Sequence, residues 1–232
     1  MTNTLLKEKR YIIDLKDALY FEKLLSQILK TDIYSQDSPY SVRSLYFDSI
    51  KDKDFFAIVN NEDKINNLRL RIYNNDIQKI KFEIKKQCND SCKKETFYIE
   101  EKDVHELLSG RFTTLLKNQN ASAQKAYILM NTECYRPRSI VEYERVAYVS
   151  DSLDIRITLD YNIRMTESCL DLFKEDLVTY SSVPKEKVVL EIKYHSFLPT
   201  YLLELFSRLD REETMISKYC LSRQLSYSQI YR

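Results

Sequence analysis

Short segments in which charged and apolar side chains alternate recur along this chain, and they constrain its fold more than any other feature. Successive side chains of a β-strand point to opposite faces, so Ile65–Tyr73 places Arg69 and Arg71 on one face and three aliphatic residues on the other. Further segments that combine charged and apolar faces are Leu6–Asp14, Ile77–Lys86, Ile155–Tyr161 and Lys187–His195. This period of two predicts amphipathic strands whose apolar faces need helices to cover them.

The remaining segments complete an α+β pattern. Further strands are predicted at Tyr40–Asp48, Lys93–Glu100 and Ser139–Val149. Helices are predicted near Leu15–Lys30, Lys51–Val59, Asp103–Leu108, Ser122–Asn131, Leu198–Leu209 and Ser217–Ser226, and a long loop over Arg164–Pro184. Connections of hairpin length favour antiparallel pairing, and eight strands are enough to close a barrel. We therefore expect a single domain, residues 1–232, built as an eight-stranded antiparallel β barrel with flanking helices.

Glycine is nearly absent, since Gly110 is the only glycine among 232 residues. A Walker A loop, a dinucleotide fingerprint, a kinase-type glycine loop and a hydrolase nucleophile elbow each need several glycines. The sequence Asn74-Asn75-Asp76 replaces glycine with residues that tolerate a left-handed backbone, which predicts a tight turn. If the chain binds phosphate groups, side-chain cations rather than backbone loops must hold them.

Charge and cysteine usage limit the partners and the compartment. The chain carries 36 Lys+Arg against 35 Asp+Glu, which gives no global argument for binding nucleic acid or an anionic membrane. An odd number of cysteines, 5, without a CxxC pair predicts reduced thiols. We expect no signal peptide, because Met1–Arg10 contains no apolar region of the kind that a signal peptide needs, and no apolar run approaches the length of a membrane span. We expect a cytoplasmic protein without nucleic-acid partners or membrane segments. The sequence does not indicate how many copies of the chain assemble.

Arg-x-Arg, Lys-x-Glu-x-Lys and Glu-x-Lys motifs recur on successive strands, and an ordinary solvated strand face is the alternative interpretation. If these faces point into a barrel, cations about 7 Å apart repel by roughly 2 kcal/mol at an effective dielectric constant near 20. Such an interior must hold water and would be stabilised by a polyanion. Carboxylates in a phosphate site usually bind Mg²⁺ or Mn²⁺. The acids among these cations, Glu8, Glu83 and Glu191, are therefore candidate metal ligands.

Seven segments occur in an order that is specific as a set, although none is specific alone. They are Arg43–Asp48, Arg69–Tyr73, Glu83–Lys85, Tyr143–Arg145, Arg156–Asp160, Leu190–Tyr194 and Ser217–Tyr219. In this order they resemble the VTC domain, the catalytic domain of the vacuolar transporter chaperone polyphosphate polymerase and its bacterial relatives. That domain is one of the CYTH-like triphosphate tunnel metalloenzymes. The resemblance runs from about Lys7 to Tyr219 and implies an eight-stranded antiparallel tunnel barrel.

The resemblance also implies a reaction and the residues that perform it. The γ-phosphoryl group of ATP would be transferred to inorganic polyphosphate with Mn²⁺ or Mg²⁺, by positioning and charge neutralisation. The implied residues that bind polyphosphate or triphosphate are Tyr46, Arg69, Arg71, Lys85, Lys94, Arg145, Arg156, Lys193, Ser217 and Lys218. The implied catalytic residues are Glu191, Arg10 and Lys193, and the implied metal ligands are Glu191, Glu83 and Glu8.

Two positions depart from the family pattern. Arg10 stands where a lysine usually precedes the first-strand tyrosine, and Asn67 stands where a lysine usually precedes the Arg-x-Arg pair. Arg10 keeps the charge but is poorly suited to proton transfer, whereas Asn67 removes a cation. Two alternatives therefore stay open. One is hydrolysis of tripolyphosphate or of a nucleoside triphosphate by the same site, and the other is a module that binds polyphosphate without turnover.

Overall fold

The computed structural model describes residues 7–36, 38–88, 91–181, 183–195, 197–213 and 217–230. The strands that these residues form are β1 (Lys7–Asp14), β2 (Lys30–Thr31), β3 (Tyr40–Asp48), β4 (Lys64–Tyr73), β5 (Ile80–Cys88), β6 (Ser91–Ile99), β7 (Arg136–Ser150), β8 (Ile155–Thr166), β9 (Lys187–Tyr194) and β10 (Arg211–Glu213). The α-helices are α1 (Leu15–Ile28), α2 (Lys53–Val59), α3 (Glu101–Leu108), α4 (Ala121–Thr132), α5 (Thr200–Ser207) and α6 (Lys218–Ile230).

The chain divides into two compact units, and each unit combines three separate stretches of sequence. Unit 1 comprises Met1–Ser41, Tyr143–Arg164 and Val183–Met215. Unit 2 comprises Val42–Glu142, Met165–Ser182 and Ile216–Arg232. Strand β7 begins in unit 2 and continues in unit 1. The single domain over residues 1–232 stays a prediction.

In unit 1 the strands follow the hydrogen-bonded order β10-β1-β9-β8-β7, and β2 pairs with β7. The pairs of β1 with β10 and β9, and of β8 with β9, are antiparallel. Their apolar faces form a core with α1 and α5, in which the rings of Phe21 and Phe206 lie 5.3 Å apart. The aliphatic residues that the alternation assigned to this core, Ile155, Ile157, Leu159, Val188, Leu190 and Ile192, are all buried there.

In unit 2 the order is β7-β3-β4-β5-β6, and β4 pairs antiparallel with both β3 and β5. The apolar faces of these strands pack with residues of α3 and α4. Phe82 of β5 stacks on Phe97 of β6 with ring centroids 4.9 Å apart. The predicted apolar face of the first Arg-x-Arg strand, Leu68, Leu70 and Ile72, is buried in this core. The fold is therefore α+β, with antiparallel strands and flanking helices, as predicted.

The described residues form ten strands rather than the predicted eight. The additional strands β2 and β10 span two and three residues, which is too short to produce an alternating pattern. Strand β8 runs to Thr166 instead of Tyr161, because Asn162 keeps its place in the strand with a φ of 49°. Leu6, the predicted start of the first strand, lies outside the described residues.

The turn and the helix end that the sequence marked have the expected backbone. Asn74 and Asn75 adopt φ values of 50° and 56°, and the Asp76 amide donates to the Tyr73 carbonyl over 2.9 Å. The turn extends further than predicted, so β5 begins at Ile80 rather than Ile77. Gly110, with a φ of 78°, follows α3 and donates its amide to the Leu107 carbonyl over 3.0 Å. A left-handed residue at this place satisfies the last carbonyls of a helix.

The predicted loop Arg164–Pro184 is partly strand and is anchored in unit 2. Leu172 is fully buried in the unit 2 core. The buried Arg43 of β3 donates from Nη1 to the carbonyls of Leu172 and Lys174 over 3.2 and 2.7 Å. A pairing of Met165 with Tyr180 holds the two ends of the segment together. An arginine that satisfies two carbonyls thus substitutes for regular secondary structure.

Two observations bear on the expected compartment. None of the helices among the described residues combines the length and the apolar character that crossing a membrane would need. Cys134, Cys169 and Cys220 carry free thiols. The side chains of Cys88 and Cys92 lie outside the described part of the chain.

Candidate functional site

The polar faces of the unit 2 strands form rows of side chains that lie opposite one another. Tyr46 of β3 lies opposite Arg69 of β4, which lies opposite Glu83 of β5. In the next row Ser44 lies opposite Arg71. A third row consists of Asn67, Lys85 and Lys94. The alternation within each strand therefore becomes a continuous charged surface, because the register aligns the cations of neighbouring strands.

Glu83 is the centre of this surface and is only 2% exposed. Its Oε2 accepts a hydrogen bond from Arg69 Nε over 2.6 Å and lies 3.7 Å from Arg71 Nη1, while Lys94 contacts Oε1. Burial alone would raise the pKa of Glu83, but the charges of Arg69, Arg71 and Lys94 hold it well below its usual range. Glu83 is therefore ionised. These four residues are called the Glu83 cluster below.

The positive potential of the Glu83 cluster reaches the buried phenol of Tyr46. Its hydroxyl oxygen accepts a hydrogen bond from Arg69 Nη1 over 3.2 Å. Burial alone would raise the pKa of Tyr46, but Arg69, Arg71 and Lys218 lower it below its usual value. Its ring also stacks on that of Tyr219, with centroids 5.3 Å apart. A group with a negative charge is thus favoured at this place.

The first turn of α6 presents two predicted phosphate-binding residues to unit 2. Ser217 Oγ accepts the Cys220 amide over 3.2 Å, which caps the helix and leaves the hydroxyl hydrogen of Ser217 as a donor. Lys218 occupies the first helical position. The hydroxyl of Tyr219 donates to Asp48 Oδ2 over 2.6 Å and fastens this turn to β3.

Asp48 belongs to a buried carboxylate pair that the sequence did not reveal. Its oxygens accept the amides of Ser49, Asp54 and Phe55 over 2.6, 2.9 and 2.9 Å, which caps α2. Asp54 is buried as well and accepts the hydroxyl of Tyr135. Burial and the neighbouring Asp48 carboxylate raise the pKa of Asp54 to about 7. Because Asp48 also binds Tyr219, the charge of this pair bears on the position of α6.

The unit 1 strands also carry rows of polar side chains on one face. Lys193 of β9 lies between Glu8 of β1 and Arg156 of β8. Two residues along, Glu191 lies between Arg10 and Thr158. Opposite charges therefore face each other between β1 and β9, whereas the two cations Lys193 and Arg156 face each other between β9 and β8.

Glu191 is the most enclosed charged residue of these rows, with 6% of its surface exposed. Its Oε1 accepts Arg10 Nε over 3.2 Å, and its Oε2 lies 3.6 Å from Arg145 Nη2 and 3.4 Å from Lys193 Nζ. Glu8 contacts Arg10 and lies 4.0 Å from Lys193 Nζ. The residues Glu8, Arg10, Arg145, Asp160, Glu191 and Lys193 are called the Glu191 cluster below.

Arg145 is the most firmly held cation of the Glu191 cluster. Two of its nitrogens, Nε and Nη2, donate to the two oxygens of buried Asp160 over 2.6 and 2.8 Å. Its guanidinium carbon also lies 5.1 Å from the ring centroid of Tyr143. Burial alone would lower the pKa of Arg145, but Asp160, Tyr143 and Glu191 raise it well above its usual value. The orientation of this guanidinium is therefore fixed before any ligand binds.

Arg156 has different partners from the Glu191 cluster. It contacts Asp32 and donates from Nη2 to the hydroxyl oxygen of Tyr40 over 3.3 Å. Asp32 and Asp160 are partners that sequence reasoning missed. The alternation of Arg156, Thr158 and Asp160 on one strand face was an available signal for Asp160, whereas nothing local marked Asp32.

The predicted site residues thus fall into both units. Those in unit 2 are Tyr46, Arg69, Arg71, Glu83, Lys85, Lys94, Ser217 and Lys218. Those in unit 1 are Glu8, Arg10, Arg145, Arg156, Glu191 and Lys193. Within unit 2, ion pairs join the predicted residues of the Glu83 cluster to one another. Within unit 1, ion pairs likewise join the predicted residues of the Glu191 cluster to one another. Their roles in binding and catalysis stay predictions.

The acids that were predicted to bind a metal have two different surroundings. Glu83 is enclosed by three cations, and the described residues contain no group of three or more side chains placed to hold a metal ion. Glu8 and Glu191 contact the same two cations, Arg10 and Lys193, and offer carboxylate oxygens. This donor chemistry fits Mg²⁺ or Mn²⁺, whose remaining ligands would be water and phosphate oxygens.

The profile of one protein family, described as the VTC domain, matches residues 5–227. The chain belongs to the VTC domain family. Its membership confirms the resemblance carried by the seven ordered segments.

Several solved structures are similar to this VTC domain. A protein of Bacillus halodurans described as a candidate adenylate cyclase has 11% identity and a TM-score of 0.48, covering 88% of this chain and 86% of that chain. Another protein so described, from Vibrio parahaemolyticus, has 16% identity and a TM-score of 0.48, covering 95% and 99%. A protein of Pyrococcus horikoshii has 12% identity and a TM-score of 0.46, covering 95% and 99%. No curated protein matches the chain.

Proposed function

We propose that this VTC domain is a metal-dependent phosphotransferase that moves the γ-phosphoryl group of ATP onto inorganic polyphosphate. The observation that carries the proposal is the charge arrangement of the two clusters, in each of which three cations contact a nearly buried glutamate. Few ligands other than a polyanion gain from such a density of arginine and lysine. Membership of the VTC domain family supports the same substrate class.

The two clusters differ in net charge, and the difference supports a role for a divalent cation. The Glu83 cluster combines three cations with one carboxylate, so its positive charge exceeds its negative charge. In the Glu191 cluster three cations face three carboxylates, those of Glu8, Asp160 and Glu191. A phosphate group gains attraction from the first cluster directly. At the second it needs additional positive charge, which a metal ion bound by Glu8 and Glu191 would supply.

The residues of each cluster have distinct tasks in this proposal. Arg69 and Arg71 present planar donors that match phosphate oxygens, and Lys94 adds point charge. Arg145, which Asp160 holds in place, offers a donor array whose orientation needs no adjustment on binding. Glu8 and Glu191 would hold a divalent ion, whose positive charge would stabilise the negative charge that develops during transfer.

The second candidate function is binding of polyphosphate without turnover, and the two positions that favour it are Arg10 and Asn67. Arg10 contacts both Glu8 and Glu191, so in this proposal it contributes charge and position rather than proton transfer. Asn67 lies opposite Lys85, and the row continues to Lys94, so two cations remain in the row that lost its lysine. The free thiols of the described residues support a cytoplasmic location as part of the same proposal.

Incubation of the protein with ATP and Mn²⁺ separates the candidates by their products. Long-chain polyphosphate is the expected product, whereas free phosphate alone would indicate a triphosphatase. Binding of tripolyphosphate without any product would indicate the binding module. In each binding assay, saturation at 100-fold over Kd should stabilise the fold by about 2.7 kcal/mol. No thermal shift at millimolar tripolyphosphate and low salt would contradict the proposal.

The variant Glu191→Gln tests the metal-binding role directly. It should abolish turnover in Mn²⁺ because it removes a carboxylate ligand, while the protein stays folded in circular dichroism. Glu204→Gln is the matched control, since Glu204 is an exposed glutamate of the same unit. An active Glu191→Gln variant would show that Glu191 does not bind the metal.

A further inference from the structure

One buried hydroxyl in unit 1 stands apart from the charged network around it. Thr158 Oγ1 has no hydrogen-bond partner among the residues that the structure describes. The residue is 3% exposed, so water does not surround this hydroxyl as it would surround a surface threonine. A buried hydroxyl without a partner costs about 1–3 kcal/mol, and such groups are rare in proteins.

The strand register places Thr158 on the polar face of β8, between Arg156 and Asp160. It lies directly opposite Glu191 of β9, whose other neighbour in the row is Arg10. The residues that alternate with Thr158, Ile157 and Leu159, are buried in the apolar core on the opposite face. The hydroxyl therefore belongs to the surface that carries the Glu191 cluster.

The acceptors nearest to Thr158 along the rows are already engaged by cations. The Glu191 carboxylate contacts Arg10, Arg145 and Lys193. The Asp160 carboxylate accepts two hydrogen bonds from Arg145. Among the described residues, none of these oxygens is hydrogen-bonded to Thr158 Oγ1, and a phosphate oxygen is an acceptor that suits a short neutral donor.

Two long side chains, those of Arg156 and Lys193, lie in the row next to that of Thr158. Arg156 and Lys193 are cross-strand partners, and their side chains are 37% and 32% exposed. Both are flexible, so they can turn from the acids that they contact to a bound anion without movement of the backbone. A polyanion at this surface would compete with these acids for the two cations.

We propose that Thr158 Oγ1 donates a hydrogen bond to a phosphate oxygen of the polyphosphate or triphosphate bound at the Glu191 cluster. The inference rests on the proposed function and adds a substrate-binding residue to it. Thr158 differs from the cations because its hydroxyl has a short reach and a fixed strand position. It therefore selects where a phosphate group comes to rest, whereas arginine and lysine attract the polyanion from a distance.

The test compares Thr158→Val, which removes the hydroxyl at nearly constant volume, with Thr158→Ser, which keeps it. Tripolyphosphate binding is measured by titration calorimetry with and without Mn²⁺, and thermal unfolding is measured without ligand. Thr158→Val should unfold at or above the wild-type temperature, because it removes an unsatisfied polar group. It should bind tripolyphosphate about tenfold to a hundredfold more weakly, as expected for loss of a hydrogen bond to a charged acceptor. Thr158→Ser should bind more tightly than Thr158→Val.

Thr114→Val is the matched control, since Thr114 is a buried threonine of unit 2 whose hydroxyl donates to Asp103. It should lower the unfolding temperature and leave tripolyphosphate affinity unchanged. Wild-type affinity of Thr158→Val would overturn the inference and leave the proposed function intact. A lower unfolding temperature of unliganded Thr158→Val would also overturn it, because the hydroxyl would then have a structural partner. Absence of binding by the wild-type protein would overturn the proposed function itself, and this inference with it.

Discussion

Substitution of Glu83 by glutamine removes one negative charge from a place where three cations stay behind. Glu83 is almost completely buried, its Oε2 lies 2.6 Å from Arg69 and 3.7 Å from Arg71, and Lys94 contacts its other oxygen. Removing one partner of a buried ion pair costs about 3–5 kcal/mol, because the remaining charge is left uncompensated. In a chain of this size each kcal/mol corresponds to about 2–4 °C. Glu83→Gln should therefore lower the melting temperature by roughly 6–20 °C.

Thermal unfolding at several salt concentrations is the assay that exposes the electrostatic origin of this loss. Salt screens repulsion between the cations, so the difference from wild type should shrink between 0.01 and about 0.5 M salt. Tripolyphosphate should stabilise Glu83→Gln more than it stabilises wild type, because it replaces the missing negative charge. Glu106→Gln is the control, since Glu106 is an exposed glutamate that pairs with Arg111. That substitution should leave the melting temperature nearly unchanged, because water screens an exposed ion pair.

A second variant keeps the test informative if Glu83→Gln does not fold. Glu83→Gln combined with Lys94→Gln removes one cation together with the carboxylate and should recover part of the lost stability. A Glu83→Gln variant that unfolds at the wild-type temperature at every salt concentration would refute the reasoning. The cations of the cluster would then be independent of Glu83.

Two further predictions concern the buried pair beneath α6. The fold raises the pKa of Asp54 from 3.8 to about 7, so between these pH values the native protein holds a proton that the unfolded chain has released. The free energy of unfolding therefore falls as pH rises from about 3.8 to about 7 and levels off above that range. Asp54→Asn should flatten this pH dependence and raise the free energy of unfolding at pH 8 by at most about 4 kcal/mol. Urea unfolding at pH 5 and pH 8 measures both effects. An unchanged slope would contradict an ionisation of Asp54 in this range. Tyr219→Phe removes the hydrogen bond to Asp48, so it should destabilise the fold by about 1.5–3 kcal/mol and weaken tripolyphosphate binding through Lys218, as measured by calorimetry. If the folded Tyr219→Phe variant bound tripolyphosphate with wild-type affinity, the position of α6 would not affect phosphate binding.

The strands and their faces could be predicted because the information is local. In Ile65–Tyr73 the alternation of arginine with leucine and isoleucine fixes which side chains are buried, and β4 has that arrangement. The same holds for the apolar faces of β8 and β9. Left-handed turns at Asn74 and Asn75 were also predictable, since residue type determines the cost of that backbone conformation.

The pairing of charges could not be predicted in the same way, because it depends on register and on contacts between distant segments. The bond between Asp48 and Tyr219 joins residues 171 positions apart. Whether Asp160 faces Arg145 depends on how β7 and β8 align, which no single strand reveals. Thr158 Oγ1 has no hydrogen-bond partner within the described part of the chain, and this depends on the placement of all its neighbours rather than on its own strand.

The interleaved order of the chain has a consequence for how the protein folds during its synthesis. Strand β1 is synthesised well before β9, with which it pairs, and Arg10 meets Glu191 across 181 positions. At about 5–20 residues per second, β1 waits on the order of ten seconds or longer for its partner. Contacts this distant in sequence also slow the search for the native state. Until Lys187–Tyr194 emerges, β1 lacks the strand that pairs along its whole length, and the acids and cations of the Glu191 cluster have not yet met. The nascent chain therefore spends this interval with an unfinished sheet edge that can pair with other chains, which makes it a natural client for a chaperone.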